Sequence, residues 1–223
     1  MPDVNFNIVP KNQLQMENFA KSYRQMMLIY ESGIKQIVTK FEILNNEYRA
    51  IGDRNPIESI QSRLKTPESI YAKLAKKGIP VTAQNVREHI FDVAGVRVIC
   101  SYVSDIYTLR DMLLCHKDIQ LVREKDYISC PKPNGYRSLH LVVQCMLCMA
   151  DQEYPVNVEI QLRTIAMDFW ASLEHELRYK AGKKMPDDIS QDLLECAEII
   201  SLTDRRMERI YHRIEALKAQ CDK

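Results

Sequence analysis

The sequence predicts a mixed α/β protein: one mixed β-sheet flanked by helices, with a long helix towards each end of the chain. Three observations predict it. Segments rich in β-branched residues alternate with segments of helical spacing in the middle of the chain. Heptad-like apolar seams occupy both ends. No Pro/Ser/Gly-rich linker, low-complexity tract or internal repeat divides the 223 residues.

The elements follow in order. Tyr30, Ile34, Ile37, Phe41, Leu44, Tyr48 and Ile51 alternate spacings of four and three, the seam of a long helix that needs a partner surface. Pro67 to Lys77 opens as a helix, with Thr66 as cap, proline in the first turn and Glu68 near the positive end. Val93 to Val103, Leu139 to Met149 and Pro155 to Arg163 read as strands. Ser104 to Cys115 and Thr164 to Ala181 read as helices, the second stopped at Gly182. A second seam runs through Leu193, Cys196, Ile200, Met207, Ile210, Ile214 and Leu217, interrupted by Thr203, with Asp204, Arg205, Arg206, Glu208 and Arg209 on the remaining face. Either seam can pack on the core or against another copy of the chain.

Composition narrows the function. A chain with 46% hydrophobic and 27% charged residues is that of a protein with a proper core. A net charge of +1 argues against a nonspecific binder of DNA or other long nucleic acid, so a phosphate ligand must be met by a local cluster. Met1 to Pro10 lacks the pattern of a signal segment, and the longest apolar run, Leu141 to Ala150, is too short to span a membrane and is broken by Gln144. A cytoplasmic location with no membrane partner is expected. Seven scattered cysteines suggest no disulfide framework, and the lone Cys145/Cys148 pair reads as buried thiols without a zinc site.

Four groups of residues carry chemistry. Lys125 to His140 combines cations, a Pro-Asn-Gly turn, Tyr136 and a histidine, which suits an aromatic shelf for a base ringed by cations for phosphates. A polar hairpin is the bland alternative. Ser69, Lys73 and Lys76 share one face of the helix that starts at Thr66, continuous with Lys65 and Arg63 upstream, and no acids answer Lys73, Lys76 and Lys77 nearby. Such a stripe is either a solvated face or an anion cradle. Arg97 lies in an apolar strand and needs a partner, an internal ion pair or a ligand. From Val156 to Arg163 alternation is strict, which sets Glu159 on the polar face with Asn157, Gln161 and Arg163. Glu159 could answer a cation; paired with Asp92 at the head of another strand it would make a two-carboxylate Mg²⁺ site.

Five blocks, in this order, are similar to the synthetase domain of the RelA/SpoT family, which makes the alarmones ppGpp and pppGpp. They are Pro56-Ile57-Glu58-Ser59 to Lys73, Asp92 to Val98, Lys125 to His140, Val158 to Thr164, and Trp170 through Glu174-His175 to Lys180. Length and flanking helices resemble the small alarmone synthetases. The resemblance implies a nucleotidyltransferase-like catalytic core at 56–182, with helical extensions at 1–55 and 183–223 that pack or assemble a homotetramer. It implies transfer of a pyrophosphoryl group from ATP to the 3′-hydroxyl of GDP or GTP, with AMP released. Arg63 and Arg97 would sandwich the adenine, and Lys65, Ser69, Lys73 and Lys76 would line the triphosphate. Asp92 and Glu159 would be the catalytic acids and the ligands of Mg²⁺. Tyr136 would stack the guanine, and Lys125, Lys132, His140 and Gln161 would hold its ribose and phosphates.

Some features set limits to the carry-over. Arg123-Glu124-Lys125-Asp126 matches the basic form of a motif that varies in the family. Asp168 stands where some small synthetases have an amide, and Ser59 and Gln61 differ from relatives with an allosteric alarmone pocket, so regulation by product is not implied. No His-Asp dipeptide occurs, about fifty residues precede Pro56, and Lys223 ends the sequence, so synthesis without a hydrolase or ribosome-sensing domains is expected. Two alternatives stay open: a toxin-like relative that pyrophosphorylates adenine nucleotides or tRNA 3′ ends, and an inactive nucleotide- or RNA-binding regulator.

Overall fold

The computed structural model describes residues 13–51, 54–150, 152–182 and 185–221; Met1 to Pro10, expected to lack a signal segment, lies outside them. The elements are α1 (Gln13–Ile51), β1 (Ile57–Leu64), α2 (Pro67–Lys76), α3 (Ala83–His89), β2 (Ala94–Cys100), α4 (Val103–Leu114), β3 (Ile119–Asp126), β4 (Leu139–Cys148), β5 (Glu153–Thr164), α5 (Ile165–Ala181) and α6 (Asp187–Cys221). The five strands form one mixed sheet in the order β1-β2-β5-β4-β3. Strands β2 and β5 run parallel, and the other neighbours pair antiparallel. The fold is thus the mixed α/β sheet with long terminal helices expected from the sequence.

One sheet face is the core. Val96 and Val98 of β2, Val158 and Ile160 of β5, and Leu141 and Val143 of β4 are all within 1% of complete burial. The seam of α1 closes this face: Tyr30, Ile34, Ile37 and Phe41 are buried, Leu44 and Tyr48 half-buried, and Ile51 exposed. Gly33 lets the helix approach, since a Cβ there would lie 2.7 Å from a methyl of Val156. Ile106, Leu109 and Leu113 of α4 complete the layer. The first seam is therefore spent on the sheet.

Three elements were not legible in the sequence, and each has a reason. Both β1 and β3 are edge strands, where polar residues are tolerated and the period-two pattern is lost. In β1 the apolar Ile57, Ile60 and Leu64 even mimic helical spacing. Helix α3 has seven residues, too few for a period to show. The reading of both CxxC thiols as buried needs correction. Cys145 is buried, but Cys148 is exposed, because an odd spacing in a strand puts the two on opposite faces.

The C-terminal helix is held by polar contacts. Asp204 of α6 accepts a 2.6 Å hydrogen bond from Thr164 Oγ1, the N-cap of α5. Trp170 Nε1 donates to the Leu193 carbonyl at 3.0 Å, and Glu208 accepts from the Ser104 amide at 2.8 Å. Tyr211 stacks on Tyr102 at 4.8 Å, with the Arg54 guanidinium over both rings. The face turned to the core runs through Ala197, Ile200, Asp204 and Tyr211, so Met207, Ile210, Ile214 and Leu217 of the second seam point outwards and are exposed.

Candidate active site

The opposite sheet face carries the chemistry, and strand register aligns it in two rows. One row crosses the sheet as Arg63, Gly95, Glu159 and Val142, reaching Arg123. The next runs Gln61, Arg97, Gln161, His140 and Lys125. Residues paired across strands point to the same side, so five strands contribute to one polar surface. Asp92 joins it from the turn before β2.

On the α2 side, the Lys65 amide donates to the Val93 carbonyl at 2.8 Å, which brings the start of α2 to the head of β2. Thr66 caps α2 by accepting from the Ser69 amide. Lys65 and Lys73 then grip Asp92, at 2.8 and 2.7 Å on separate carboxylate oxygens. Burial pushes the Asp92 carboxyl up, but the two ammonium groups outweigh it and hold it below the usual range. Beside them Arg63 lies against Gly95, where a Cβ would stand 3.4 Å from the arginine Cγ. Arg63, Gly95, Arg97, Gln61 and Gln161 line a recess of about 200 Å³. Burial and the neighbouring Arg163 and Arg63 all disfavour the Arg97 charge, which Asp168 partly answers at 3.4 Å.

The loop at 127–138 forms the other wall. Asp126 starts it by accepting from the Ile128 and Ser129 amides and from the Tyr107 hydroxyl, at 2.8 to 3.1 Å. Its tip is fastened by Asn134, which donates to Glu174 of α5, and by Arg137, which donates to the Ala197 carbonyl of α6. Gly135 turns the tip at φ 87°, its Cα pressed so close to α6 that a Cβ would be 2.5 Å from that of Ala197. Tyr136 is half-buried, with the Lys132 ammonium 4.5 Å from its ring centre. Its hydroxyl accepts from Arg163 Nη2 at 2.7 Å and lies 2.7 Å from His140 Nε2. If the hydroxyl proton goes to Nε2, the remaining N–H of His140 is on Nδ1, which faces Glu159 at 3.5 Å.

Glu159 sits between the two walls. Burial pushes its carboxyl up, while His140 and a 3.0 Å hydrogen bond from Gln161 bring it below the usual range, against repulsion from Asp92. Both acids line one cleft of about 650 Å³, together with Lys73, Lys125, Lys132 and His140. Lys65 stands behind Asp92, Ser69 is engaged at the cap, and Lys76 is exposed on the last turn of α2, whose place on the cleft wall is taken by Lys77. Lys77, His89, Phe91, Arg123 and Tyr127 also line the cleft and were not singled out as site residues in the sequence. The Arg123 guanidinium lies 4.7 Å over Phe91, a pairing that no spacing rule could reveal across 32 residues. The signal for Arg163 was its place in the alternation of β5.

A cleft with cations on both walls and two ionised acids between them is built to bring two phosphorylated ligands together, the class of a phosphoryl-group transferase. Comparison with known proteins gives the group. Residues 62–184 match the family described as the region found in RelA / SpoT proteins. GTP pyrophosphokinase YwaC of Bacillus subtilis is 43% identical over 200 residues, covering 90% of this chain and 95% of that protein. The crystal structure of small alarmone synthetase 1 from Bacillus subtilis, bound to its product pppGpp, has a TM-score of 0.81 at 34% identity, covering 87% of this chain and 99% of that one. Small alarmone synthetase 2 of the same organism has a TM-score of 0.78 at 44% identity, covering 86% and 98%. The chain belongs to the RelA/SpoT family, in its group of small alarmone synthetases.

Proposed function

We infer that the chain is a GTP pyrophosphokinase that transfers the pyrophosphoryl group of ATP to the 3′-hydroxyl of GDP or GTP, making ppGpp or pppGpp and releasing AMP. The observation that carries this is the meeting of Asp92 and Glu159 in one cleft, between the lysine wall of α2 and the Tyr136 loop, in a member of this family. Label from ATP appearing on GDP or GTP in the presence of Mg²⁺ supports it. Label on tRNA or adenine nucleotides, with none on GDP or GTP, overturns it in favour of a toxin-like activity.

In this reading Arg63 and Arg97 flank the adenine, whose recess they line, because a planar guanidinium stacks on a base. Lys73 on the cleft wall takes the triphosphate beside Lys77, with Lys65, Ser69 and Lys76 turning in from their places off that wall. Tyr136 stacks the guanine, and Lys125, Lys132, His140 and Gln161 hold the acceptor's ribose and phosphates. The ribose 3′-oxygen attacks the β-phosphorus, the bond from that phosphorus to the α-phosphate oxygen breaks, and AMP leaves with the electron pair. Glu159 orients the hydroxyl and receives its proton as the new bond forms. A carboxyl held below its usual pKa is a weak base, so orientation is the larger part of its role and the proton passes on to water.

Asp92 and Glu159 fit Mg²⁺, since the ion takes hard oxygen donors and is held by one or two carboxylates with phosphate oxygens and water. Among the described residues no cluster of three or more His, Cys, Asp or Glu side chains offers a fuller cage. Bound there, Mg²⁺ would neutralise charge on the transferred group. Lys65 and Lys73, which hold Asp92 in the structure, would turn to the phosphates. Three coarser features complete the proposal: a catalytic core at 56–182 between helical extensions at 1–55 and 183–223, a cytoplasmic location, and a homotetramer closed over the exposed α6 seam. No described helix is long and apolar enough to cross a membrane.

A further inference from the structure

Arg163 is the most buried charge in the site, with a side chain 6% exposed. A guanidinium out of water must be paired, and each of its partners is informative. Nη1 donates to Asp168 Oδ1 at 3.0 Å. Nη2 donates to the Tyr136 hydroxyl at 2.7 Å and to Gln161 Oε1 at 3.1 Å, while Nε has no partner among the described residues. Asp168 Oδ1, in turn, also faces Arg97 at 3.4 Å. One carboxylate oxygen thus answers two guanidinium groups, one in the donor recess and one that props the acceptor's aromatic shelf.

The sharing is uneven and incomplete. Arg97 Nε is buried without a partner among the described residues, and Arg63 and Arg163 both repel the Arg97 charge. A bridge that served only to join β5 to α5 would need the Arg163–Asp168 contact and nothing more. Here the same two side chains reach Arg97 on one flank and Tyr136 on the other. A base stacked between Arg63 and Arg97 would take the face of the Arg97 guanidinium and leave its N–H edge towards Asp168, holding that contact in place. The Asp168 oxygen shared with Arg163 would then be fixed as well, and with it the guanidinium that donates to the Tyr136 hydroxyl.

We propose that Arg163 and Asp168 are positioning residues that couple the two nucleotide pockets, so that a filled donor recess tightens binding of the guanine nucleotide. The proposal rests on the functional reading above and deepens it, because it makes donor and acceptor binding interdependent through residues that need touch neither ligand.

Titration calorimetry of GDP, with and without saturating α,β-methylene-ATP and Mg²⁺, reads the coupling directly. In the wild type the analogue is expected to tighten GDP binding by about fivefold or more, the lower end of ordinary allosteric coupling. Asp168→Asn keeps the shape and removes the charge; it is expected to reduce this factor to less than about twofold by the same scale. Arg163→Lys keeps a charge but lacks the fork that reaches three partners, and is expected to do the same while raising the acceptor KM more than it lowers kcat. Thermal melts confirm that each variant folds, and either variant alone suffices for the test. Independent pockets in the wild type, or full coupling in a folded Asp168→Asn or Arg163→Lys protein, overturn the proposal. Transfer of label to GDP by a wild type with independent pockets sinks only this inference; absence of transfer to any guanine nucleotide sinks the functional reading with it.

Discussion

Glu159 and Asp92 are both acids in a cleft crowded with cations, yet their surroundings differ in a way that separates their roles. Asp92 is gripped by two ammonium groups, whereas Glu159 touches an imidazole and an amide and is the one nearer the Tyr136 loop. Glu159→Gln is expected to lower kcat by about 10²–10⁴-fold, the usual worth of a group that handles a proton, while nucleotide affinity measured by titration survives. An unchanged rate would remove Glu159 from the mechanism. For Asp92 the pH dependence of stability is the sharper probe. Its folded-state pKa is depressed, so the ion pairs contribute stability that is fully present above the unfolded value of about 3.9 and is lost as pH falls through the lower native value. Urea midpoints of wild type and Asp92→Asn should therefore differ by a constant amount at neutral pH and converge in acid. A gap that persists at the lowest pH would show that the pairs with Lys65 and Lys73 are not its source.

Helix α1 and the 127–138 loop show how an element's sequence settles its packing only in part. The α1 seam closes the core face of the sheet, and Phe41 is fully buried there. Phe41→Ala is expected to cost about 3–5 kcal/mol in a chemical denaturation experiment, as truncation of a core aromatic does. A loss below 1 kcal/mol, on the scale of a surface change, would mean that α1 is an appendage. The loop is different, since its tip is fastened to α5 and α6 by hydrogen bonds and its shape depends on Gly135 at positive φ against Ala197. Gly135→Ala adds a methyl where both backbone and neighbour refuse it, a strain of about 1–3 kcal/mol. It should appear as a raised acceptor KM with donor affinity unchanged; equal loss of both affinities would show damage beyond the loop.

Across the whole molecule, α6 has two faces with different tasks. Its inner face meets Trp170, Thr164 and the loop tip, and its outer face presents Met207, Ile210, Ile214 and Leu217 to solvent. Apolar residues at heptad spacing on an exposed helix are the material of a helix-to-helix contact. If the proposed tetramer closes over this seam, Ile210→Glu combined with Ile214→Glu is expected to give folded species of lower mass, measured by light scattering with unchanged circular dichroism. An unaltered mass would remove the α6 seam from that proposal. Because α6 also fastens the Gly135 turn, the double variant also shows whether acceptor binding depends on that seam.

How much of this was legible beforehand depends on whether a feature is local. Strict alternation in β5 announced which side chains share a face, and Thr66-Pro67 announced where α2 begins, because both are properties of a few consecutive residues. The helical seams, the polar loop around Tyr136 and the resemblance to a family were likewise visible without coordinates. Edge strands β1 and β3 were not, since an edge faces water and carries no pattern of burial. Nor could spacing show that Asp92 and Glu159 share a cleft, that Asp168 lies between Arg97 and Arg163, or which of two apolar seams would be spent on the core. Those are contacts between segments far apart in the chain, and they exist only once strand order and register bring the segments together.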